Sequence, residues 1–162
     1  MPAFLKLGDI KGEATDEGHK DWIIINSMSA PINRSIAAGA KDQQRARGET
    51  TLGDIVTVRQ LDKSSTKLAE ACASGKFFPE AEIHFCSTLN GKQEPFLKYK
   101  IKDVIITSYG FHGVASNDPM PSEEVTLAFT EVEWTYIVVD PKTGKATGNV
   151  PGKYNPGAGK AG

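Results

Sequence analysis

The chain has 162 residues, 24% of them charged, with 19 Lys and Arg against 20 Asp and Glu and a formal net charge of −1. That balance excludes a general electrostatic pull toward nucleic acid or acidic lipid, and no apolar run approaches the ~20 residues of a membrane-spanning helix. Two cysteines, Cys72 and Cys86, are too few for a disulfide scaffold and read as buried free thiols.

A chain of this length buries roughly 70% of its unfolded surface, enough for one domain with its own core. Ala3 to Leu7 alternates as a first short strand, and Gly8 to His19 follows as a polar loop. The start lacks a basic segment followed by an apolar one, so no cleavable signal peptide is expected. Asp21 to Ala30 reads as a second strand. Its four consecutive apolar residues from Trp22 to Ile25 predict burial on both faces, and Ser27 and Ser29 then share a small, polar face. Asn33 to Arg47 has no period. It carries Arg34, Lys41, Arg45 and Arg47 against Asp42, a net charge of +3. A loop of that length is functional or mobile in a compact domain. It lacks the aromatic residues that would stack bases, which leaves a solvated flap or a docking loop.

Gly53 to Phe85 reads as strand, helix, strand. Leu68, Ala71 and Cys72 form an apolar stripe at i, i+3 and i+4, with Ser65 as the expected N-cap, Gly75 as the C′ residue and Pro79 beyond it. The helix is about three turns long and needs a sheet to rest on. Glu80 to Leu89 alternates, with Ala81, Ile83 and Phe85 on one face and Glu82, His84 and Cys86 on the other. Asn90-Gly91 predicts a hairpin into a strand from Gln93 to His112. From Glu124 to Val139 the apolar parity switches between Phe129 and Val132, which means a bulge or a strand passing between sheets. DPKTG at Asp140 to Gly144 is a turn, and the Gly- and Pro-rich end is expected to fray after Tyr154. About seven strands and one helix give a mainly β fold, two packed sheets closing into a small barrel or sandwich with one short flanking α-helix. The domain is placed at residues 1–154, with 155–162 as a flexible C-terminal tail.

Catalytic signatures are missing. There is no phosphate-binding glycine loop, no G-x-S-x-G elbow, no H-E-x-x-H and no calcium loop. His84 and Cys86 share a strand face, but two ligands do not make a zinc site, so they read as surface or interface residues, and neither a metal nor a cofactor is expected. No acid stands in an apolar cluster that would raise its pKa, so no catalytic residue is named.

The stretch DKSSTKLAEACASGKFFPEA, Asp62 to Ala81, resembles the helix region of the Hcp family, the haemolysin-coregulated proteins of the bacterial type VI secretion inner tube. Phe4 to Glu13, Val104 to Ser108 and Val125 to Tyr136 resemble the family's opening, interior strand and long late strand, in the same order. The resemblance implies a fold like that of phage tail-tube proteins, a homo-hexameric ring with a wide channel, and rings stacked head to tail inside a contractile sheath behind a spike. It implies effector proteins carried in the channel, with Ser27 and Ser29 as lumen candidates. It also implies passage from the bacterial cytoplasm to the outside without a cleavable signal. Such stacking needs two complementary surfaces. The basic loop with Arg34, Lys41, Arg45 and Arg47 supplies one expectation. The acidic set Asp16, Glu17, Asp118, Glu123 and Glu124 supplies the other, since 8–21 and 113–124 each carry a net −3. The basic loop departs from the glycine-rich loop of some members, and the tail lacks the final strand residues expected of the family. A monomeric barrel binding a small ligand is the competing reading, although the Ile, Phe and Trp content is enough to fill a small barrel.

Overall fold

The computed structural model describes residues 1–41, 43, 48–113, 120–158 and 160–161. Its strands are β1 (Ala3–Leu7), β2 (Ile23–Ile25), β3 (Ser27–Ser29), β4 (Ile32–Arg34), β5 (Thr50–Leu52), β6 (Ile55–Gln60), β7 (Phe77–Leu89), β8 (Lys92–His112), β9 (Ser122–Ala128), β10 (Glu131–Val139), β11 (Ala146–Asn155) and β12 (Lys160–Ala161). A short 3₁₀ turn covers Glu17–His19, and helix α1 spans Ser65–Ser74.

Strand β8 is the spine. Along one edge it pairs with β7, while its other edge serves β10 first and β9 afterwards. The changeover falls at Asp103, which takes a left-handed backbone (φ 54°). There the Thr130 N–H donates to the Lys102 carbonyl at 3.0 Å and the Thr130 hydroxyl donates to Asp103 Oδ2 at 2.5 Å. The corner between β9 and β10 is thereby pinned to the left-handed kink in β8. Apolar parity shifts with it, from Ile101 to Val104 and Ile106. The parity switch of the late strand is a passage from one part of the sheet to another, since β9 pairs with β6 and β8 while β10 pairs with β8 and β11.

Among the described residues the main sheet has ten strands, running β12-β11-β10-β8-β7-β1-β2 with a branch through β9, β6 and β3; β4 and β5 form a separate two-stranded sheet. The chain passes from β2 to β3 through Asn26, whose N–H donates to Val58 at 2.8 Å. The branched sheet folds over its own core instead of closing as a continuous hydrogen-bonded cylinder. Leu5, Ile23, Ile55, Ile83, Ile101 and Leu127 fill the core, and each such side chain contributes about 1.5–3 kcal/mol by leaving water.

Helix α1 lays Leu68 and Ala71 into this core. Its C-terminus is as expected. Gly75 is left-handed (φ 64°), its N–H donates to Cys72 at 3.3 Å, and the Lys76 N–H donates to Ala71 at 3.0 Å. The N-terminus differs. Ser64 holds the cap position, and Ser65 is the first helical residue. The Ser65 hydroxyl accepts from the Asp62 N–H at 3.0 Å and donates to Glu123 at 3.2 Å. Asp62 already orders this turn by accepting from the Ser64 N–H at 2.8 Å, which frees Ser65 for a buried carboxylate that needs a donor.

Other expectations are corrected. Ile23 and Ile25 are buried but Ile24 is exposed, so β2 covers one face only. The segment from Asn33 is not irregular throughout, because β4 begins it and pairs with β5. The Gly- and Pro-rich stretch from Ala146 forms a ten-residue strand on the edge of β10, where backbone pairing suffices without apolar alternation. Both cysteines are free, as expected, with Cys86 buried and Cys72 half-buried.

Candidate assembly and channel surfaces

The basic loop is the tip of a hairpin arm. β4 pairs with β5 from Ile32 opposite Leu52 to Arg34 opposite Thr50. The Arg34 guanidinium donates to Thr50 Oγ1 at 3.0 Å, and the Ser35 N–H donates to the Glu49 carbonyl at 2.8 Å. Lys41 is exposed, as are the apolar Ile32 and Ile36, so the arm is greasy as well as basic. Arg45 and Arg47 lie outside the described residues.

The acidic set does not form one surface. Asp16 is half-buried and accepts from His19 Nδ1 at 2.6 Å. Glu17 is exposed, 3.8 Å from Lys92. Asp118 lies outside the described residues. Glu123 has no solvent exposure at all. It faces Arg59 across β6 and β9 in a buried ion pair, and Asp62 contacts the same guanidinium. The Tyr109 hydroxyl donates to the second oxygen of Glu123 at 2.6 Å. Burial first, and then this bond to a carboxylate, pushes Tyr109 up to about 12. Burial alone would raise Asp62, but the Ser64 hydroxyl and Arg59 outweigh it and hold that carboxyl below its ordinary range. Counting charge along the segment missed this arrangement because strand residues alternate between faces. Glu123 shares the parity of buried Val125 and Leu127, and that signal is present in the sequence.

Glu124 points the other way. Across the sheet it lies in one row with Ser27, Val58 and Gly110, and the next row holds Ser29, Val56, Thr126 and Ser108. Ser27, Ser29, Ser108 and Glu124 are exposed. The result is a shallow, small-residue sheet face bearing one carboxylate, with the core directly behind it at Met28, Thr57 and Val125.

Two apolar patches are left uncovered. β10 and β11 run on past the core, so residues in phase with buried Val132 emerge into solvent. Tyr136 is 52% exposed and stands opposite Val150, 60% exposed, with Val138 beyond. Elsewhere Phe77, 53% exposed, pairs with exposed Ile105 across β7 and β8. The apolar crevice lined by Leu52, Tyr99, Phe129 and Trp134 holds about 10 Å³, whereas hollows of about 500 and 650 Å³ are open and lined by charged groups.

His84 is buried, contrary to the expectation of a surface or interface residue, and Cys86 is the buried thiol expected of it, because the segment 8–22 folds over them and brings His19 to His84. No group of three or more His, Cys, Asp or Glu among the described residues is arranged to hold a metal ion. No helix among them is long and apolar enough to cross a membrane.

Residues 4–136 match the family model described as "Type VI secretion system effector, Hcp". The chain is 30% identical over 133 residues to "Protein hcp1" of Pseudomonas aeruginosa, covering 82% of this chain and 81% of that protein. It superposes on a solved "type six secretion system protein" with a TM-score of 0.90 at 28% identity, covering 99% of both chains. It superposes on Hcp1 from Salmonella typhimurium with a TM-score of 0.77 at 25% identity, covering 99% of this chain and 97% of that one.

Proposed function

Since the chain belongs to the Hcp family of type VI secretion proteins, we propose that it is the structural subunit of a secretion tube: a homo-hexameric ring, stacked head to tail, whose channel holds effector proteins. The tube runs inside a sheath, ends at a spike, and leaves the bacterial cytoplasm without a cleavable signal. The protein has no catalytic role in this reading and uses no cofactor. The observation that carries it is the pair of unlike apolar patches, Tyr136 with Val150 and Val138 in one and Phe77 with Ile105 in the second. A subunit with two different sticky surfaces associates heterologously, and such contacts close into rings when the rotation permits. The number six comes from the family. The small-residue face carrying Ser27 and Ser29 is assigned to the channel wall, and the arm with Arg34 and Lys41 to the contact between rings. Of the acids, Glu17 is the one retained for that arm, while Glu124 moves to the channel wall.

The test is size. Light scattering and negative-stain microscopy of the purified protein are expected to show rings of roughly six times the 17.4 kDa subunit mass. Tyr136→Glu combined with Val150→Glu should give folded monomers. A wild-type protein that stays monomeric at high concentration overturns the reading.

A further inference from the structure

The outer side of β7 presents His84 in a row with Phe4 of β1 and Lys98 of β8, and the segment 8–22 lies over it. The 3₁₀ turn of that segment delivers His19. Its Nε2 stands 2.9 Å from His84 Nδ1 and its Nδ1 stands 2.6 Å from Asp16 Oδ2. On the far side, His84 Nε2 lies 3.3 Å from Glu82 Oε2. The two rings are 3% and 8% exposed. Phe4 stacks on His19 at 4.5 Å between centroids, and Trp22 meets it edge-on at 4.9 Å.

A carboxylate only accepts, so a proton on His19 Nδ1 is directed at Asp16. The contact between the rings takes one proton, neither none nor two: whichever nitrogen donates, the other must be bare.

We propose that this histidine pair is a proton-operated latch: with one proton between the rings it fastens the segment 8–22 to β7, and a second proton on that contact separates the rings and releases the segment. The second proton would set N–H against N–H across 2.9 Å, and neither ring can turn aside without displacing Phe4 or Trp22. The groups facing the pair are Asp16 and Glu17 from its own segment, Glu82 on β7, Lys92, Glu94 and Lys98 on β8, and Lys6 on β1 above the Trp22 ring. Burial first, and then Lys98 and His19, oppose a charge on His84 and hold it down to about 4. Cys86 offers no counter-charge. Its sulfur is 3.8 Å from His19 Nε2, and burial keeps it a thiol by pushing it up to about 11.

Hydrogen exchange on the full chain tests the latch. Inside the segment the Ala14 N–H bonds to Trp22 at 3.1 Å and the Asp21 N–H bonds to Ala14 at 2.9 Å, so both report its docking. After correction for the intrinsic pH dependence of exchange, opening of residues 12–22 should rise at least about tenfold from pH 7 to pH 5 relative to the amides of β9 and β10. His84→Gln, whose amide can accept from or donate to His19 Nε2, should abolish that rise while the segment stays docked. An opening that is flat with pH, or that rises equally in β9 and β10, overturns the proposal. Should the variant not fold, ¹⁵N spectra of the wild-type rings decide: a bare nitrogen at the contact between the rings that becomes protonated as residues 12–22 open supports the latch, and one that stays bare while the segment opens overturns it.

Discussion

Glu123 and Glu124 are consecutive residues on β9 and lie on opposite sides of the sheet: Glu123 is sealed against Arg59, while Glu124 stands in the open in a row with Ser27. One is a structural charge and the other a surface charge, and their variants should separate accordingly. Removing Glu123 leaves Arg59 buried with only Asp62 to answer it, and breaking a buried pair in this way costs about 3–5 kcal/mol. Glu123→Ala should lose stability on that scale in urea unfolding, whereas Glu124→Ala should stay within about 0.5 kcal/mol of wild type. A Glu123→Ala protein as stable as wild type would refute the assignment.

Gly12 is required for steric reasons, unlike Gly75. A Cβ on Gly12 would sit 2.4 Å from the Trp22 carbonyl oxygen and 2.5 Å from the Ile23 Cα, and neither backbone atom can retreat without moving β2. At Gly75 a Cβ meets open space, and only the left-handed backbone resists it. Gly75→Ala should therefore cost about 1 kcal/mol. Gly12→Ala should cost more, about 1–3 kcal/mol, and should loosen the 8–22 segment. Thermal unfolding, with tryptophan fluorescence reporting on Trp22, would reverse this ranking if the close approach were not rigid.

Stability should fall on acidification through His84. Its folded-state value is lowered from 6.5 to about 4, chiefly by burial. The unfolded chain therefore binds more protons throughout that interval, and stability rises with pH across it. About 2.5 units of difference correspond to roughly 3 kcal/mol, fully present above pH 6.5 and lost as the pH falls to 4. The midpoint of urea unfolding, followed from pH 7 to pH 4, should drop steeply in the wild type and less in His84→Gln. Parallel curves for the two proteins would remove His84 as the cause.

What was legible in the sequence was local. The β1 strand, the Asn90-Gly91 turn, the glycine stop of α1 and the parity switch before Val132 all depend on neighbours a few residues apart, and all recur in the structure, although Phe4 breaks the alternation of β1 by being buried under the segment 8–22. β11 has almost no buried residue and exists because β10 offers an edge, which Ala146–Asn155 does not encode by itself. His19 reaches His84 across 65 positions, and no spacing rule connects them. Of the candidate surfaces, Ser27 and Ser29 were legible from a shared face. The acidic set was obscured because charge was counted along the chain and not by strand parity. The exposed Tyr136 looked like a continuation of the core, since nothing local marks where the core ends.

Salt should separate the two kinds of contact between subunits. The patches assigned to the proposed ring contact are apolar, whereas the arm assigned to stacking carries Arg34 and Lys41 among its described residues. Exposed ion pairs contribute only about 0–1 kcal/mol each, and screening shortens from about 10 Å at 0.1 M salt to about 3 Å at 1 M. Repetition around a ring makes even small contacts count. Sedimentation is expected to show stacks shortening with salt while single rings persist, and Arg34→Glu should mimic high salt. Rings that dissociate before stacks do would reverse the assignment.

Ser29 tests the channel wall. Its side chain is exposed on β3, its strand partner is Val56, and the next residue along that row is Thr126. No buried group depends on it, so a long charged side chain there has solvent to enter. Ser29→Arg should leave the unfolding midpoint within about 0.5 kcal/mol of wild type and leave rings intact by microscopy. If this face lines the channel, six copies of the new side chain converge on the cargo path. Co-purification of effector with the ring should then fall sharply while ring yield is unchanged. Loss of the ring itself would instead place Ser29 at a subunit contact, and unchanged cargo retention would take this face out of the channel.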